Sequence, residues 1–77
     1  MKIIIYTTPS CPYCLQAKNY FENKKLSYEE IDVSQNQKKA DEMVKVSGQM
    51  GVPVADINGE IIVGFDRERI SKALGIE

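Results

Sequence analysis

The first apolar segment of the chain is continuous, whereas the second alternates with polar residues. Residues 3–6, Ile-Ile-Ile-Tyr, form an unbroken β-branched and aromatic run, which is typical of a central strand buried on both faces. Residues 28–33 alternate and predict a more exposed strand. Residues 50–55 and 60–63 lie on either side of Asn58-Gly59, a strong two-residue hairpin signal, and therefore predict an antiparallel pair of strands.

Three other segments carry apolar residues at helical spacing. The first helix is predicted from Cys14 to about Lys24, with Pro12 in its first turn, where a missing N–H is tolerated. The second ends at Gly48, and the third begins at Asp66. The residues that define the apolar faces are Cys14, Leu15, Ala17, Tyr20 and Phe21, then Ala40, Met43, Val44 and Ser47, then Ile70, Ala73 and Leu74.

The order of elements is therefore βαβαββα. The strand–helix–strand beginning predicts two parallel strands joined by a right-handed crossover, and the hairpin adds an antiparallel pair. The fold class that follows is α/β, with a mixed four-stranded sheet and three helices. A chain of 77 residues is expected to form one domain, 1–77.

Composition and charge exclude several classes of function. The chain is 43% hydrophobic and 27% charged, with a net charge of −1, so it has no electrostatic basis for binding nucleic acid or an acidic membrane. No apolar stretch approaches the ~18 residues of a membrane span, and the first residues lack the cleavage site of a signal peptide. We therefore expect a cytoplasmic, monomeric protein that binds neither nucleic acid nor membranes.

The candidate chemistry lies at Cys11 and Cys14, the chain's two cysteines. They follow a predicted buried strand and stand at a predicted helix start. Unpaired backbone N–H groups and the helix dipole favour negative charge at this position. Cys11 is therefore expected to be the exposed attacking thiolate, and Cys14, one turn further in, the resolving thiol. This context indicates a redox-active dithiol.

Three other interpretations of the cysteine pair stay open at the level of sequence. A structural disulfide would close a loop of about four residues and stabilise the fold by only roughly 2 kcal/mol, and a reducing compartment opposes it. A zinc site would need ligands from a second chain, because this chain has no histidine and no further cysteine. The third interpretation is a pair of inert buried thiols, against which the helix-start position argues.

Three motifs resemble those of one protein family. The stretch from Tyr6 to Cys14, centred on Cys-Pro-Tyr-Cys, closely resembles the active site of dithiol glutaredoxins. Gly51-Val52-Pro53 resembles the family's Thr-Val-Pro loop, and residues 63–66 (Val-Gly-Phe-Asp) resemble its Gly-Gly-x-Asp segment. The motifs follow the family's order and spacing over essentially the whole chain, which is thereby identified as a glutaredoxin-like member of the thioredoxin fold.

The resemblance implies a thiol–disulfide oxidoreductase. Cys11 would attack glutathione mixed disulfides and Cys14 would resolve protein disulfides, with glutathione as co-substrate and no bound cofactor or metal. The implied partners are glutathione and disulfide-bearing or glutathionylated proteins. Pro53 would be cis, so that the Val52 backbone meets the substrate like an added strand. From the residues alone, Pro53 could equally be an ordinary turn proline.

The same resemblance implies further substrate-binding residues at Tyr13, Gly64, Phe65 and Asp66. Gly64 would allow the backbone to approach the γ-glutamyl end of glutathione. Asp66 would pair with the glutathione ammonium while also capping the last helix, and Tyr13 would pack against the ligand. The alternatives are that Asp66 is only a cap and that Tyr13 is an exposed surface residue.

Three positions depart from the family pattern. Many glutaredoxins have a lysine where this chain has Thr8, a threonine where it has Gly51, and a glycine where it has Val63. The absent lysine removes a cation that would hold a glutathione carboxylate. Residues that could replace it are Gln35, Lys38 and Gln49.

Two alternative functions follow from the resemblance. The segment Phe65-Asp66-Arg67 also resembles small glutaredoxin-like redoxins, which accept electrons from thioredoxin reductase and supply them to ribonucleotide reductase. Thioredoxin reductase is therefore the alternative partner. A [2Fe–2S] carrier would use Cys11 and glutathione as ligands in a dimer, since such a cluster usually has four thiolate ligands; Pro12 disfavours this function.

Overall fold

Seven elements of secondary structure make up the fold in the computed structural model, which describes residues 2–75. Three helices connect and cover four strands, and the βαβαββα order predicted from the sequence is confirmed. Along the chain the elements are β1 (Ile3–Thr7), α1 (Pro12–Asn23), β2 (Glu29–Asp32), α2 (Gln37–Ser47), β3 (Val54–Ile57), β4 (Glu60–Val63) and α3 (Arg67–Leu74).

The four strands form one mixed sheet in the order β2-β1-β3-β4. Strand β1 pairs in parallel with β2 and antiparallel with β3, so the continuous apolar run occupies an interior position, as predicted. Strands β3 and β4 form the predicted antiparallel hairpin. Asn58 and Gly59 both have positive φ, 55° and 99°, which is the conformation that favours this residue pair in a two-residue turn.

The two faces of the sheet carry separate apolar clusters. Alternation along β1 points Ile3 and Ile5 towards α1 and α3, where the larger cluster includes Phe21. It points Tyr6 to the other face, where Met43 of α2 covers a smaller cluster. Because both faces are covered by helices, β1 can be almost wholly apolar.

Three sequence predictions about apolar segments were wrong in detail. The third strand begins at Val54 rather than at Met50, because the preceding residues form a loop and Pro53 has no N–H to give to a sheet. The second strand is also shorter than residues 28–33. Leu15 was assigned to the apolar face of the first helix, yet 56% of its surface is exposed.

Each helix begins at a side chain that accepts a backbone N–H. The Cys11 sulfur caps α1, the Asn36 amide caps α2 and the Asp66 carboxylate caps α3, the last two by bonds of 3.1 Å. The Ser34 hydroxyl, two residues before Asn36, caps no helix and instead donates to Asp32. Two of the three caps, Cys11 and Asp66, are residues that the sequence singled out for function.

Candidate active site

Cys11 lies at the junction between the β1–α1 loop and the first turn of α1. Its sulfur accepts a hydrogen bond from the Cys14 backbone N–H at 3.1 Å. Both thiols are free, and Cys11 is partly exposed, whereas Cys14 is 1% exposed. A sulfur that is accessible, and that receives an N–H at a helix start, is well placed to carry negative charge as a nucleophile.

Cys14 has the opposite surroundings. Burial, followed by the hydrogen bond with the Cys11 side chain, raises the pKa of the Cys14 thiol to about 12. A backbone hydrogen bond from Thr8 and the positive charge of Lys18 act in the other direction. Cys14 is therefore a neutral thiol at neutral pH while Cys11 is reduced, and it is also far less accessible than Cys11.

The loop before β3 meets the dithiol. The Cys11 thiol points to the Val52 carbonyl oxygen, with sulfur and oxygen 3.8 Å apart. The Val52-Pro53 peptide bond is cis, which confirms the conformation implied by the resemblance. The loop is also tied to the segment after β4, because the Gly64 N–H donates to the Pro53 carbonyl at 2.8 Å.

The segment after β4 is the third part of the site. Gly64 has a φ of +79° and open space where a side chain would begin, so the backbone there is accessible to a ligand. One oxygen of Asp66 caps α3 through the Arg69 N–H. Two contacts therefore connect the three motifs, which lie far apart in the sequence: Cys11 meets Val52, and Pro53 meets Gly64.

Phe65 and Tyr13, two of the predicted substrate-binding residues, differ from each other in exposure. Phe65 is half-buried and packs against the larger core cluster, edge-on to Tyr20 with ring centroids 6.2 Å apart. Tyr13 is 59% exposed beside the dithiol, a position compatible with either of its two predicted interpretations.

The three residues named as replacements for the absent lysine do not line the dithiol cavity. That cavity has a volume of about 420 Å³ and lies between the β1–α1 loop and α1. Gln49 instead supports the loop before Val52, since its side-chain amide exchanges hydrogen bonds with the Gly51 backbone at 2.9 and 3.3 Å.

Lys18 is the cationic residue that lines this cavity together with both cysteines, and it was not among the residues predicted from the sequence. The signal was present, because Lys18 follows Cys14 by four residues and therefore lies on the same face of α1. Its ammonium pairs with the Glu30 carboxylate of β2 at 2.9 Å, a contact that spacing within one helix could not show.

Two further properties concern the described part of the chain. Within residues 2–75, no three His, Cys, Asp or Glu side chains are grouped so that they could hold a metal ion. Over the same residues, none of the three helices has the length and apolar character needed to cross a membrane.

Comparisons with known proteins agree with this geometry. A family model described as glutaredoxin matches residues 3–62. An uncharacterized glutaredoxin-like 8.6 kDa protein in the rubredoxin operon of Clostridium pasteurianum is 42% identical over 72 residues, which cover 94% of this chain and 96% of that protein. The chain belongs to the glutaredoxin family, whose members are thiol–disulfide oxidoreductases.

Two solved structures support the thioredoxin-like fold. A mutant of the thioredoxin-like protein BC3987 superposes with a TM-score of 0.92 at 30% identity, covering 99% of this chain and 97% of that one. The glutaredoxin-like protein NrdH-redoxin from Escherichia coli superposes with a TM-score of 0.83 at 29% identity, covering 94% and 93%. That second protein is described as having a thioredoxin-like activity profile.

Proposed function

We propose that this protein is a cytoplasmic oxidoreductase that uses glutathione to reduce glutathione mixed disulfides and protein disulfides. The observation that carries the proposal is the pairing of an accessible Cys11 sulfur at a helix start with a buried thiol at Cys14. Two cysteines are too few for the disulfide framework of a small secreted domain, which supports a reducing compartment such as the cytoplasm.

The chemistry begins at Cys11. Its thiolate attacks the glutathione sulfur of a glutathionylated protein, the S–S bond breaks, and the protein leaves as a thiolate that takes a proton from solvent. A second glutathione, as thiolate, then attacks the glutathione sulfur bound to Cys11, releasing oxidised glutathione and regenerating the Cys11 thiolate. With a protein disulfide as substrate, Cys14 instead attacks Cys11 and releases the reduced protein.

Glutathione would bind across the surface formed by the three motifs. The Val52 backbone lies beside Cys11 and would hydrogen-bond a peptide-like ligand as an added strand does. The open space at Gly64 leaves room for the γ-glutamyl end, and the Asp66 carboxylate is a partner for its ammonium group. These expectations rest on the contacts of Cys11 with Val52 and of Pro53 with Gly64.

A coupled assay tests the proposal. A glutathionylated model protein would be mixed with glutathione, glutathione reductase and NADPH, and NADPH consumption followed with and without this protein. We expect catalytic turnover, and none with Cys11→Ser as the matched blank. Absence of turnover by a preparation that titrates with two free thiols would reject glutathione as the reductant.

A second candidate function is that of a redoxin reduced by thioredoxin reductase. It is favoured by Thr8, which leaves the loop before the dithiol without a lysine, and by the thioredoxin-like activity profile of the Escherichia coli relative. Insulin disulfides can serve as a common substrate for both reducing systems, each supplied with NADPH. A faster rate with thioredoxin reductase than with glutathione and its reductase would favour this second function over the first.

A further inference from the structure

Lys18 is a charged residue beside the dithiol for which the proposed function has no role. It belongs to α1, one turn beyond Cys14, and lines the open cavity with both cysteines. Its side chain is 27% exposed, so solvent screens its charge only in part. The Lys18 cation therefore shares a cavity with the Cys14 sulfur, and its charge acts to lower the pKa of the Cys14 thiol.

The Lys18 ammonium is held from the neighbouring strand. The Glu30 carboxylate of β2 accepts from Lys18 at 2.9 Å and from the Thr7 hydroxyl at 2.8 Å, both at the same oxygen. Thr7 is 1% exposed and ends β1, where the chain enters the active-site loop. Two adjacent strands therefore fix the direction of a side chain that would otherwise be free to move.

The resolving step is the one that needs a positive charge nearby. Cys14 is a neutral buried thiol, and only its thiolate can attack. When Cys11 is part of a mixed disulfide, it no longer carries the charge or makes the thiol–thiol contact that opposes ionisation of Cys14. What remains is burial, which disfavours the thiolate, against Lys18 and the Thr8 backbone, which favour it.

We propose that Lys18, fixed by Glu30 and Thr7, is a positioning residue that keeps positive charge beside the Cys14 sulfur and thereby accelerates resolution of mixed disulfides at Cys11. The inference rests on the proposed division of roles between the two cysteines. The charged and titratable groups around the Cys14 sulfur are Cys11 and Lys18 from α1 and, through Lys18, Glu30 from β2, with Glu22 and Asp32 acting on that ion pair.

Resolution of the mixed disulfide by Cys14 requires no further reagent. The Cys14 thiol gives its proton to solvent through the open cavity, and the Cys14 thiolate attacks the Cys11 sulfur. A Cys11–Cys14 disulfide forms, the bond between Cys11 and the substrate sulfur breaks, and the substrate leaves as a thiolate with the electron pair. The dithiol is oxidised and the substrate disulfide is reduced, while Lys18 keeps its proton throughout.

The test uses a neutral dipyridyl disulfide in stopped flow, at a concentration equal to that of the reduced protein. Attack by Cys11 releases one thiopyridone in a bimolecular phase, and attack by Cys14 releases the second in a phase that does not depend on concentration. A neutral probe is chosen so that Lys18 has no charge on the probe to attract. Neither phase requires glutathione or an enzyme partner.

The central comparison is Lys18→Met, which keeps the aliphatic stem and removes the charge. If the pKa of Cys14 rises by one unit, its thiolate fraction falls tenfold, while its greater nucleophilicity recovers part of the loss, so the second phase slows by about three- to fourfold. We expect this slowing at pH 7, with the rate–pH profile displaced to higher pH and the first phase changed by less than about twofold.

Three further variants separate charge from packing. Lys18→Arg should restore the second phase to within about twofold of wild type because it keeps the charge, and Lys18→Gln should behave as Lys18→Met does. Lys24→Met removes a lysine from the end of the same helix, where the ammonium lies over the Tyr20 ring, and should leave both phases unchanged.

The outcomes distinguish this inference from the proposed function. An unchanged second phase in Lys18→Met, equal slowing of both phases, or equal slowing in Lys18→Met and Lys18→Arg would overturn the role of Lys18 while leaving the dithiol mechanism intact. A wild-type protein that shows no second phase would overturn the division of roles itself, and the inference with it.

Discussion

At the scale of single residues, the environments of the two sulfurs matter more than their identity. The Cys11 sulfur accepts a backbone N–H and faces the Val52 carbonyl at the surface. The Cys14 sulfur is buried, which raises the pKa of its thiol to about 12. These different surroundings support the nucleophilic role proposed for Cys11 and the resolving role proposed for Cys14.

The different surroundings of the two sulfurs predict different results for the same substitution, cysteine to serine, at positions 11 and 14. Cys11→Ser should abolish exchange with every disulfide, because no other accessible thiol is present in the chain. Cys14→Ser should retain removal of glutathione from proteins but lose reduction of protein disulfides. Rates with a glutathionylated protein and with insulin would be measured side by side, and loss of both activities in Cys14→Ser would contradict the proposed roles.

At the scale of secondary-structure elements, two candidate site residues lie at the N-termini of helices. The caps of α1 and α3 are the candidate site residues Cys11 and Asp66, and each cap accepts the N–H three residues later. A hydrogen bond between Gly64 and Pro53 joins the segment before α3 to the loop before β3. A change in one of these elements can therefore alter both stability and binding, and experiments must separate the two.

Asp66 allows that separation. Asp66→Ala should lower the free energy of unfolding by about 1 kcal/mol, because the cap of α3 is lost. Asp66→Asn keeps an oxygen for the cap and removes the charge, so it should preserve stability. If Asp66 also pairs with the glutathione ammonium, both variants should raise the KM for glutathione.

Urea unfolding and steady-state kinetics with varied glutathione would check these expectations. A normal KM in Asp66→Asn, together with normal stability, would mean that Asp66 is a cap and no more.

At the scale of the whole molecule, a small chain covers both faces of its sheet. The face towards α1 and α3 has the larger cluster, in which Phe21 is fully buried and packs beside Tyr20 and Tyr28. The face towards α2 has three buried residues, Tyr6, Met43 and Val54. A domain of this size has little stability to spare. A substitution that leaves a large cavity in the larger cluster should therefore lower the stability of the fold strongly.

Phe21→Ala is expected to lower the free energy of unfolding by about 3–5 kcal/mol, a large part of the total for a small domain. Leu15→Ala, in the same helix but at an exposed position, is the matched control and should change stability by no more than about 0.5 kcal/mol. Chemical denaturation of both variants would measure the difference, and similar losses would contradict the assignment of the core.

The smaller cluster predicts an alkaline limit to stability. Burial, followed by a hydrogen bond with Glu42, raises the pKa of Tyr6 from 10.0 to about 12. The unfolded chain therefore loses this proton first as the pH rises, and the contribution of Tyr6 is complete below pH 10 and is lost between pH 10 and 12. The loss should reach about 1 kcal/mol near pH 11.

Tyr6→Phe tests this effect. The variant lacks the hydroxyl that donates to Glu42 at 2.9 Å, so its stability should fall less steeply than that of wild type between pH 10 and 12. Tyr28, whose pKa is also raised to about 12, should leave a residual slope in both proteins. Equal slopes in urea unfolding over this range would refute the assignment to Tyr6.

The sequence by itself determined the order of the elements and the position of the dithiol. Both depend on local interactions: the period of apolar residues, the hairpin pair Asn58-Gly59, and the preference for a proline and a cap at the start of α1. The fold class and the location of Cys11 and Cys14 could therefore be predicted without coordinates. The resemblance to glutaredoxins added the cis conformation of Pro53, which no local pattern would have required.

The tertiary structure alone decided which side chains surround the two sulfurs. Leu15 lies on the exposed side of α1 and Phe65 packs inward, because neighbouring elements determine which apolar positions find a partner. The pairing of Lys18 with Glu30 across 12 positions depends on the parallel register of β1 and β2. Contacts between residues distant in sequence arise only when the sheet is assembled, so the sequence pattern that located the dithiol could not show its electrostatic surroundings.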